Sequence, residues 1–422
     1  MTDGYMINFD HLIIGNGIAG VAAAEEIRKR QPDAAIAIVS EEDEPCYSRV
    51  LLPHYVKGKI PRDKVFRKTR SWYAEAGISV FWARQAVRLD PVGHAVTMDD
   101  GSVLGYRQLL IASGGRAKRM SVSGDDHEAV LPFRTLADAD RICDALDRVA
   151  ALPAAEQEAA IVGGGFIGLE FPSIFSGRGF RTSLLIRGPY YWSRTWDKTS
   201  ADIVESTLTA HGIRLYKGIN AIAFSGDNSS LLHGVQTDNE GEIPARVAGY
   251  GVGLEMNFAP AREAGIDTNL GIMTNEYLET SAPDVYAAGD VAEFWDITVG
   301  RRHRLGNWIN ALSQGRHAGA RMCGERQPFA RVSQYATSVF ECAIAFVGDV
   351  SMDDTVLVVA RGAGTEHYGR LLVRNGKLRG ATLINRTADR APIAELIRRG
   401  TDLSEAEHHL ADPSFDLKNL LG

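Results

Sequence analysis

Twice along the chain, a strand-length apolar run breaks on glycines and resumes at once as an apolar or alanine-rich helical stretch. The first, LIIGNGIAGVAAAEEI, sets Gly15, Gly17 and Gly20 between run and helix, and a second apolar run, AIAIVS, then ends on Glu41 and Glu42. The other, AAIVGGGFIGLEF, repeats the pattern with Gly163, Gly165 and Gly168, and the strand after it is TSLLI. Continuous apolar runs bounded by glycine predict buried strands, and strands alternating with helices predict an α/β chain. Further on, DVYAAGDVAE reads as a short strand reaching Gly289 and Asp290 with a helix to follow. Near the end, HYGRLLVRNGKLRGATLINRT alternates about an Asn-Gly turn as a hairpin, and the helix APIAELIRRG follows it.

Glycines at this spacing have a chemical use. One makes the tight turn, one lets backbone approach a pyrophosphate, and one lets helix and strand pack closely. The helix start then offers free N–H groups and a positive dipole end to the phosphates. The carboxylates of Glu41 and Glu42 are placed to accept hydrogen bonds from ribose hydroxyls. Two such units in one chain point to two dinucleotides. Asp290 reads either as an acceptor for a polyol hydroxyl or as a helix cap.

At 422 residues the chain is too long for one ordinary core and suggests roughly two to four domains. Its 45% hydrophobic and 23% charged content is that of a globular protein, and no apolar run approaches the ~18 residues of a membrane helix. No secretory leader is legible in MTDGYMINFDHLIIGNG, so the expected compartment is the cytoplasm, without membrane insertion. A net charge of -7 argues against nucleic-acid binding. Cys46, Cys143, Cys323 and Cys342 form no close pair, which argues against an internal dithiol relay.

IIGNGIAG, LLIASGGRA, IVGGGFIGLE, YGVG and DVYAAGDVAE, in this order, resemble the FAD-dependent pyridine nucleotide-disulfide oxidoreductases of the glutathione-reductase superfamily. PCYSRVLLPHY and GNWINALSQGRHAGARMCGE narrow the resemblance to the branch of NADH:rubredoxin reductases, ferredoxin reductases and the flavin half of assimilatory nitrite reductases. The resemblance implies two Rossmann-like domains, with FAD held by a discontinuous domain over 1–118 and 246–326. An NAD(P)-binding domain, 119–245, would be inserted, and 327–422 would form a smaller C-terminal α+β domain that packs near the flavin or makes a subunit contact. The assembly would be a monomer or a homodimer.

Residue by residue, the resemblance gives the FAD pyrophosphate to Gly15, Gly17 and Gly20 and the adenosine ribose to Glu41 or Glu42. Arg49 would lie near pyrophosphate and flavin, while Ala112, Gly289 and Asp290 would line the flavin chain. Trp308 would wall the isoalloxazine or else be a core tryptophan. Gly163, Gly165 and Gly168 would hold NAD(P)H, and Glu170 would be the position nearest the nicotinamide or else an ordinary helix glutamate. Single-cysteine relatives carry their thiol where Val50 stands, and Cys46 reads as a buried structural cysteine. Without sulfur, the electron acceptor is a one-electron protein carrier, a quinone-like molecule or dioxygen.

Two basic stretches, KGKIPRDKVFRKTR and GRRHRLGNW with Arg301, Arg302 and Arg304, favour a small acidic iron-sulfur or rubredoxin-type carrier steered to a rim, or are solvated surface. The leading expectation is an FAD enzyme moving electrons from NAD(P)H to such a carrier. The alternatives are an NAD(P)H oxidase and a flavin-bearing redox or regulatory subunit whose nicotinamide site is degenerate. One departure bears on the donor. In RTSLLIRG the strand closes on Ile186 and Arg187, where the family's strand closes on a glutamate. Losing that carboxylate removes the grip on two ribose hydroxyls and the repulsion of a 2′-phosphate. Arg187 and Arg194 would then favour NADPH unless they face only solvent, and Pro172 in the helix adds a further variation.

Overall fold

The computed structural model describes residues 6–227, 230–353 and 355–422. Residues 1–5, the start of the stretch read for a leader, lie outside them. The chain divides into two compact units, one of Met1–Val50, Pro61–Arg116 and Glu255–Arg331, the other of Leu51–Ile60, Ala117–Leu254 and Val332–Gly422. Among the described residues no helix is long and apolar enough to cross a membrane.

In the first unit the strands Ile78–Trp82, Ile36–Ser40, Ile7–Ile14 and Val103–Ile111 lie parallel in that order, with Val285–Ala287 parallel beyond Val103–Ile111. Every residue of Ile36–Ser40 is buried, as a strand covered on both faces requires. The alanine-rich helix Ile18–Arg30 packs on the helix Trp308–Met322 along a seam of small residues. A Cβ on Gly315 would collide with the Ala19 carbonyl, and one on Gly319 would press on the Ala23 carbonyl. The helices therefore touch backbone to backbone.

The second unit repeats the parallel arrangement in the order Arg214–Lys217, Arg181–Ile186, Glu158–Val162, Val247–Tyr250, Val130–Leu131. Val247–Tyr250 is hydrogen-bonded beside Glu158–Val162, so residues 246–254, expected with the flavin segment, pack in this unit instead. Residues 51–60 do the same, because the helix Leu52–Val56 carries Tyr55, whose hydroxyl donates to Asp140 at 2.9 Å.

The C-terminal segment has a core of its own but belongs to the same compact unit. Its sheet runs Gln334–Val339, Cys342–Gly348, Lys377–Ile384, Tyr368–Arg374, Leu357–Arg361, antiparallel throughout. Asn375 and Gly376, both with positive φ (50° and 70°), form the expected two-residue turn. Ala345, Val347, Leu371, Ala381 and Leu383 from the strands share an apolar cluster with Ile393, Leu396 and Ile397 of the helix Arg390–Arg399. At the sheet edge Arg361, only 1% exposed, donates to Asp389 and to the carbonyls of His409, Leu410, Asp412 and Phe415.

Replacing Arg361 with methionine takes that donor from the carbonyls of His409, Leu410 and Phe415, while Asp389 keeps Arg386 and the Asp412 carbonyl keeps the Phe415 N–H. Removing one partner of a buried charged network costs about 3–5 kcal/mol, so Arg361→Met is expected to lower the urea midpoint of the second unit sharply. An unchanged midpoint would show that the tail is held by its apolar contacts alone.

Candidate functional site

The two glycine turns have the same construction. Gly15 has φ +113° and Gly163 φ +120°, and a Cβ on either would collide with the carbonyl of Ala112 or of Gly251 respectively. Gly20 and Gly168 bring helix onto strand, because a Cβ on each would strike the carbonyl of Gly15 or Gly163. The middle glycines differ. Among the described residues, none but the glycine's own chain neighbours comes within 4 Å of a Cβ built on Gly17 or Gly165. Above those two, backbone faces open space. Both following helices, Ile18–Arg30 and Phe166–Phe175, start without a side-chain cap and without an acid in the first turn. Their first N–H groups are left for an anion, which is the donor set a pyrophosphate needs. Pro172 stands at the seventh position of its helix, away from that end.

Around the first turn, Ala112 is buried and its N–H bonds the Ile14 carbonyl at 2.8 Å. Glu41 is exposed and accepts from Gln85 at 3.1 Å. Glu42 instead accepts from the Tyr47 hydroxyl at 2.7 Å and from Arg49 at 3.3 Å. Burial pulls the Arg49 guanidinium down, but Tyr47, Glu42 and Asp290 together outweigh it and hold it above the ordinary arginine value. Gly289, with φ +82°, donates to Gln314 at 2.8 Å. No α-helix follows Asp290. Gly289–Val291 is a single 3₁₀ turn running into the strand Ala292–Asp296, so the capping alternative falls away. Trp308 opens the helix Trp308–Met322 and is partly exposed.

Cys46 is 2% exposed, and burial pushes its thiol up to about 12, as suits a packed side chain rather than a nucleophile. Val50 is 56% exposed.

The shorter basic stretch is less open than its composition suggests. Arg302 donates to the carbonyls of Thr274 and Glu293, and all three of Arg301, Arg302 and Arg304 are half-buried. In the longer run, Arg62 pairs with Glu44, Lys64 with Asp63, Lys68 with Glu25 and Arg70 with Asp43. Three of these acids, Glu44, Glu25 and Asp43, are distant in sequence, while Lys59, Lys64, Arg67 and Arg70 stay exposed.

In the second unit, Tyr191 is fully buried and its hydroxyl donates to the Gly165 carbonyl at 2.8 Å, bracing the turn. Ile186 ends its strand 1% exposed, with a methyl 3.0 Å from a Cβ built on Gly164. An apolar group thus fills the position expected to hold an acid. Arg187 and Arg194 are both exposed. A Cβ on Gly188 would collide with the Ser193 hydroxyl, so the residues next to the two arginines meet in one bend.

Glu170 faces Lys57 at 3.7 Å and the Thr337 hydroxyl at 3.5 Å. Burial holds its carboxyl above the usual glutamate range, against the pull of Lys57 and Thr337. Burial likewise lowers Lys57, with Glu170 opposing. Lys57, read in sequence as one of seven basic residues in a run, is turned inward. No local signal marks it or Thr337, because their shared partner is more than a hundred residues from each.

A family model described as pyridine nucleotide-disulphide oxidoreductase matches residues 9–315, and a reductase C-terminal model matches residues 337–421. The chain is 31% identical to the ferredoxin reductase subunit of 5,5′-dehydrodivanillate O-demethylase from Sphingobium sp., over 98% of this chain and 99% of that one. It is 28% identical to the biphenyl dioxygenase system ferredoxin–NAD(+) reductase component of Paraburkholderia xenovorans, over 97% of each. A crystal structure of a ferredoxin reductase from Rhodopseudomonas palustris matches with a TM-score of 0.87 at 24% identity, covering 98% of this chain and 100% of that one, a likeness of fold.

The open middle glycine and the crowded third one separate binding from folding. Gly17→Ala is expected to fold normally but to hold its dinucleotide about tenfold less tightly or worse, the cost of losing one charge-assisted hydrogen bond. Gly20→Ala is expected to lower soluble yield and melting temperature. Equal damage to folding by both changes would show that the space above Gly17 is not a ligand's.

Proposed function

The chain belongs to the pyridine nucleotide-disulphide oxidoreductase family, and from that premise we propose an FAD-dependent enzyme that passes electrons from NAD(P)H to a small iron-sulfur or rubredoxin-type carrier. The observation that carries the reading is the doubled cradle, one in each compact unit, each with its middle glycine open. The two relatives named above are, by name, ferredoxin reductase components, which supports a small protein acceptor.

In this reading the first unit is the flavin unit and Ala117–Leu254 the nicotinamide-nucleotide part of the second. Gly15, Gly17 and Gly20 take the FAD pyrophosphate. Glu41 takes the adenosine ribose, since Glu42 is already engaged by Tyr47 and Arg49. Arg49 supplies positive charge beside Asp290, whose carboxylate accepts from a ribityl hydroxyl near Gly289 and Ala112. Trp308 shields the ring. Gly163, Gly165 and Gly168 take the NAD(P)H pyrophosphate, and Glu170, steadied by Lys57, orients the carboxamide of the nicotinamide. Bound FAD supplies the conversion of a two-electron hydride donor into one-electron steps. The chain's own residues bind, orient and exclude water. With Cys46 buried and its thiol pushed up to about 12, no cysteine is assigned to the onward step.

Mixing the purified yellow protein anaerobically with NADPH or NADH should bleach the flavin, and adding an oxidised ferredoxin or rubredoxin should restore the colour. Recolouring by dioxygen alone, with no response to either carrier, would favour an oxidase. Absence of bleaching would indicate a degenerate nicotinamide site.

The second cradle also bears on the donor. Ile186 offers no acceptor to ribose hydroxyls, while Arg187 and Arg194 stand exposed about one bend, as a 2′-phosphate requires. Discrimination in favour of NADH is therefore weak and tilts toward NADPH. Ile186→Glu should shift the ratio of kcat/KM values toward NADH by about tenfold or more, the worth of charge-assisted hydrogen bonds gained. A wild-type enzyme strongly selective for NADH would sink this assignment.

A further inference from the structure

The face of the C-terminal sheet opposite its own helix is built from two adjacent cross-strand rows. Tyr335, Phe346, Thr382 and Arg370 are paired across four strands, and Thr337, Ile344, Ile384 and Tyr368 are paired in the next row. This face lies on the nucleotide cradle of the same unit. The Tyr335 and Phe346 rings meet Phe166, the first residue of the cradle helix, at 5.1 and 5.6 Å. One turn along that helix, Glu170 meets Thr337. The steps of four along the helix and two along the strand match, so ring meets ring where hydroxyl meets carboxylate. Arg370 donates to the Thr195 carbonyl and Tyr368 donates to Asp197 at 2.6 Å, fixing the loop that carries Arg194.

We propose that the C-terminal sheet is a working wall of the nicotinamide-nucleotide site and that Thr337 is a positioning residue, acting through Glu170 by fixing its carboxylate against Lys57. The proposal rests on the reading of Glu170 as the residue nearest the nicotinamide. Among the described residues, the titratable and hydroxyl groups facing Glu170 come from three places. Lys57 comes from the segment 51–60, with Lys59 behind it, Tyr191 from the loop after Ile186, and Thr337 from the sheet. On its own helix, FIGLEFPSIF, Glu170 is the one charged residue.

The sign of the effect follows. A hydroxyl donating to a carboxylate favours the ionised form, so its removal raises the carboxyl's pKa. Thr337→Val keeps the shape and deletes the donor, and Thr337→Ser restores it.

The test is an infrared titration of the full chain, with the Glu170 carboxyl band identified by its loss in Glu170→Gln, alongside the pH profile of flavin reduction in the FAD-loaded protein. Thr337→Val is expected to move the midpoint of that band, and the acid limb of the profile, to higher pH, and Thr337→Ser to return both to the wild-type position. A midpoint unmoved by Thr337→Val, while Glu170→Gln abolishes the acid limb, would overturn the role of Thr337 and leave that of Glu170 standing. An acid limb that survives Glu170→Gln would overturn the reading of Glu170 and this proposal with it.

Discussion

Backbone pressed against backbone at two glycine turns is the constraint on which both units depend. At Gly15 and Gly163 a carbonyl of the neighbouring segment occupies the space of a missing side chain, and at Gly20 and Gly168 the turn's own carbonyl does so. Only when helix and strand sit that close does the helix start come level with the strand ends, with its free N–H groups facing outward. The open space over Gly17 and Gly165 follows from the crowding beside it. The same device recurs where Gly315 and Gly319 let one helix of the first unit rest on Ala19 and Ala23 of another. Much of this chain's architecture is therefore set by what its side chains leave out.

This explains which parts of the sequence were readable. A glycine that must admit a phosphate or a carbonyl has no substitute, so the turns at Gly15 and Gly163 announce themselves. The Asn375–Gly376 turn is legible for the same reason, since both residues take positive φ. Ile186 was legible as a departure, because an apolar residue stands where an acid belongs. What stayed hidden depends on distant partners. Lys57 looks like its basic neighbours until Glu170 is brought to it. Asp290 looks like a helix cap until the segment after it turns out to be a strand. Val247–Tyr250 carries no mark of which parallel sheet it joins.

Charge in this chain is directed inward more than composition implies. Arg302, Arg361 and Arg370 each donate to backbone carbonyls, and Arg379 is 4% exposed against Asp349. Guanidinium groups suit this work, having several donors in a rigid fork and remaining charged when buried. A count of arginines thus overstates the positive surface offered to a partner.

The anchoring of Arg361 also has a consequence in time. Its last acceptor, the Phe415 carbonyl, lies 54 residues further along the chain. During synthesis the guanidinium emerges well before the groups that receive it, and burying it unpaired is too costly to be sustained. The Arg361 side chain therefore reaches its full set of acceptors only once residues 409–415 are in place. The wall that carries Thr337 belongs to the same sheet but is built from its other four strands, with Thr337 at the opposite edge. The strands that face the nucleotide cradle therefore do not depend on that late anchoring, which secures only the far edge of the sheet.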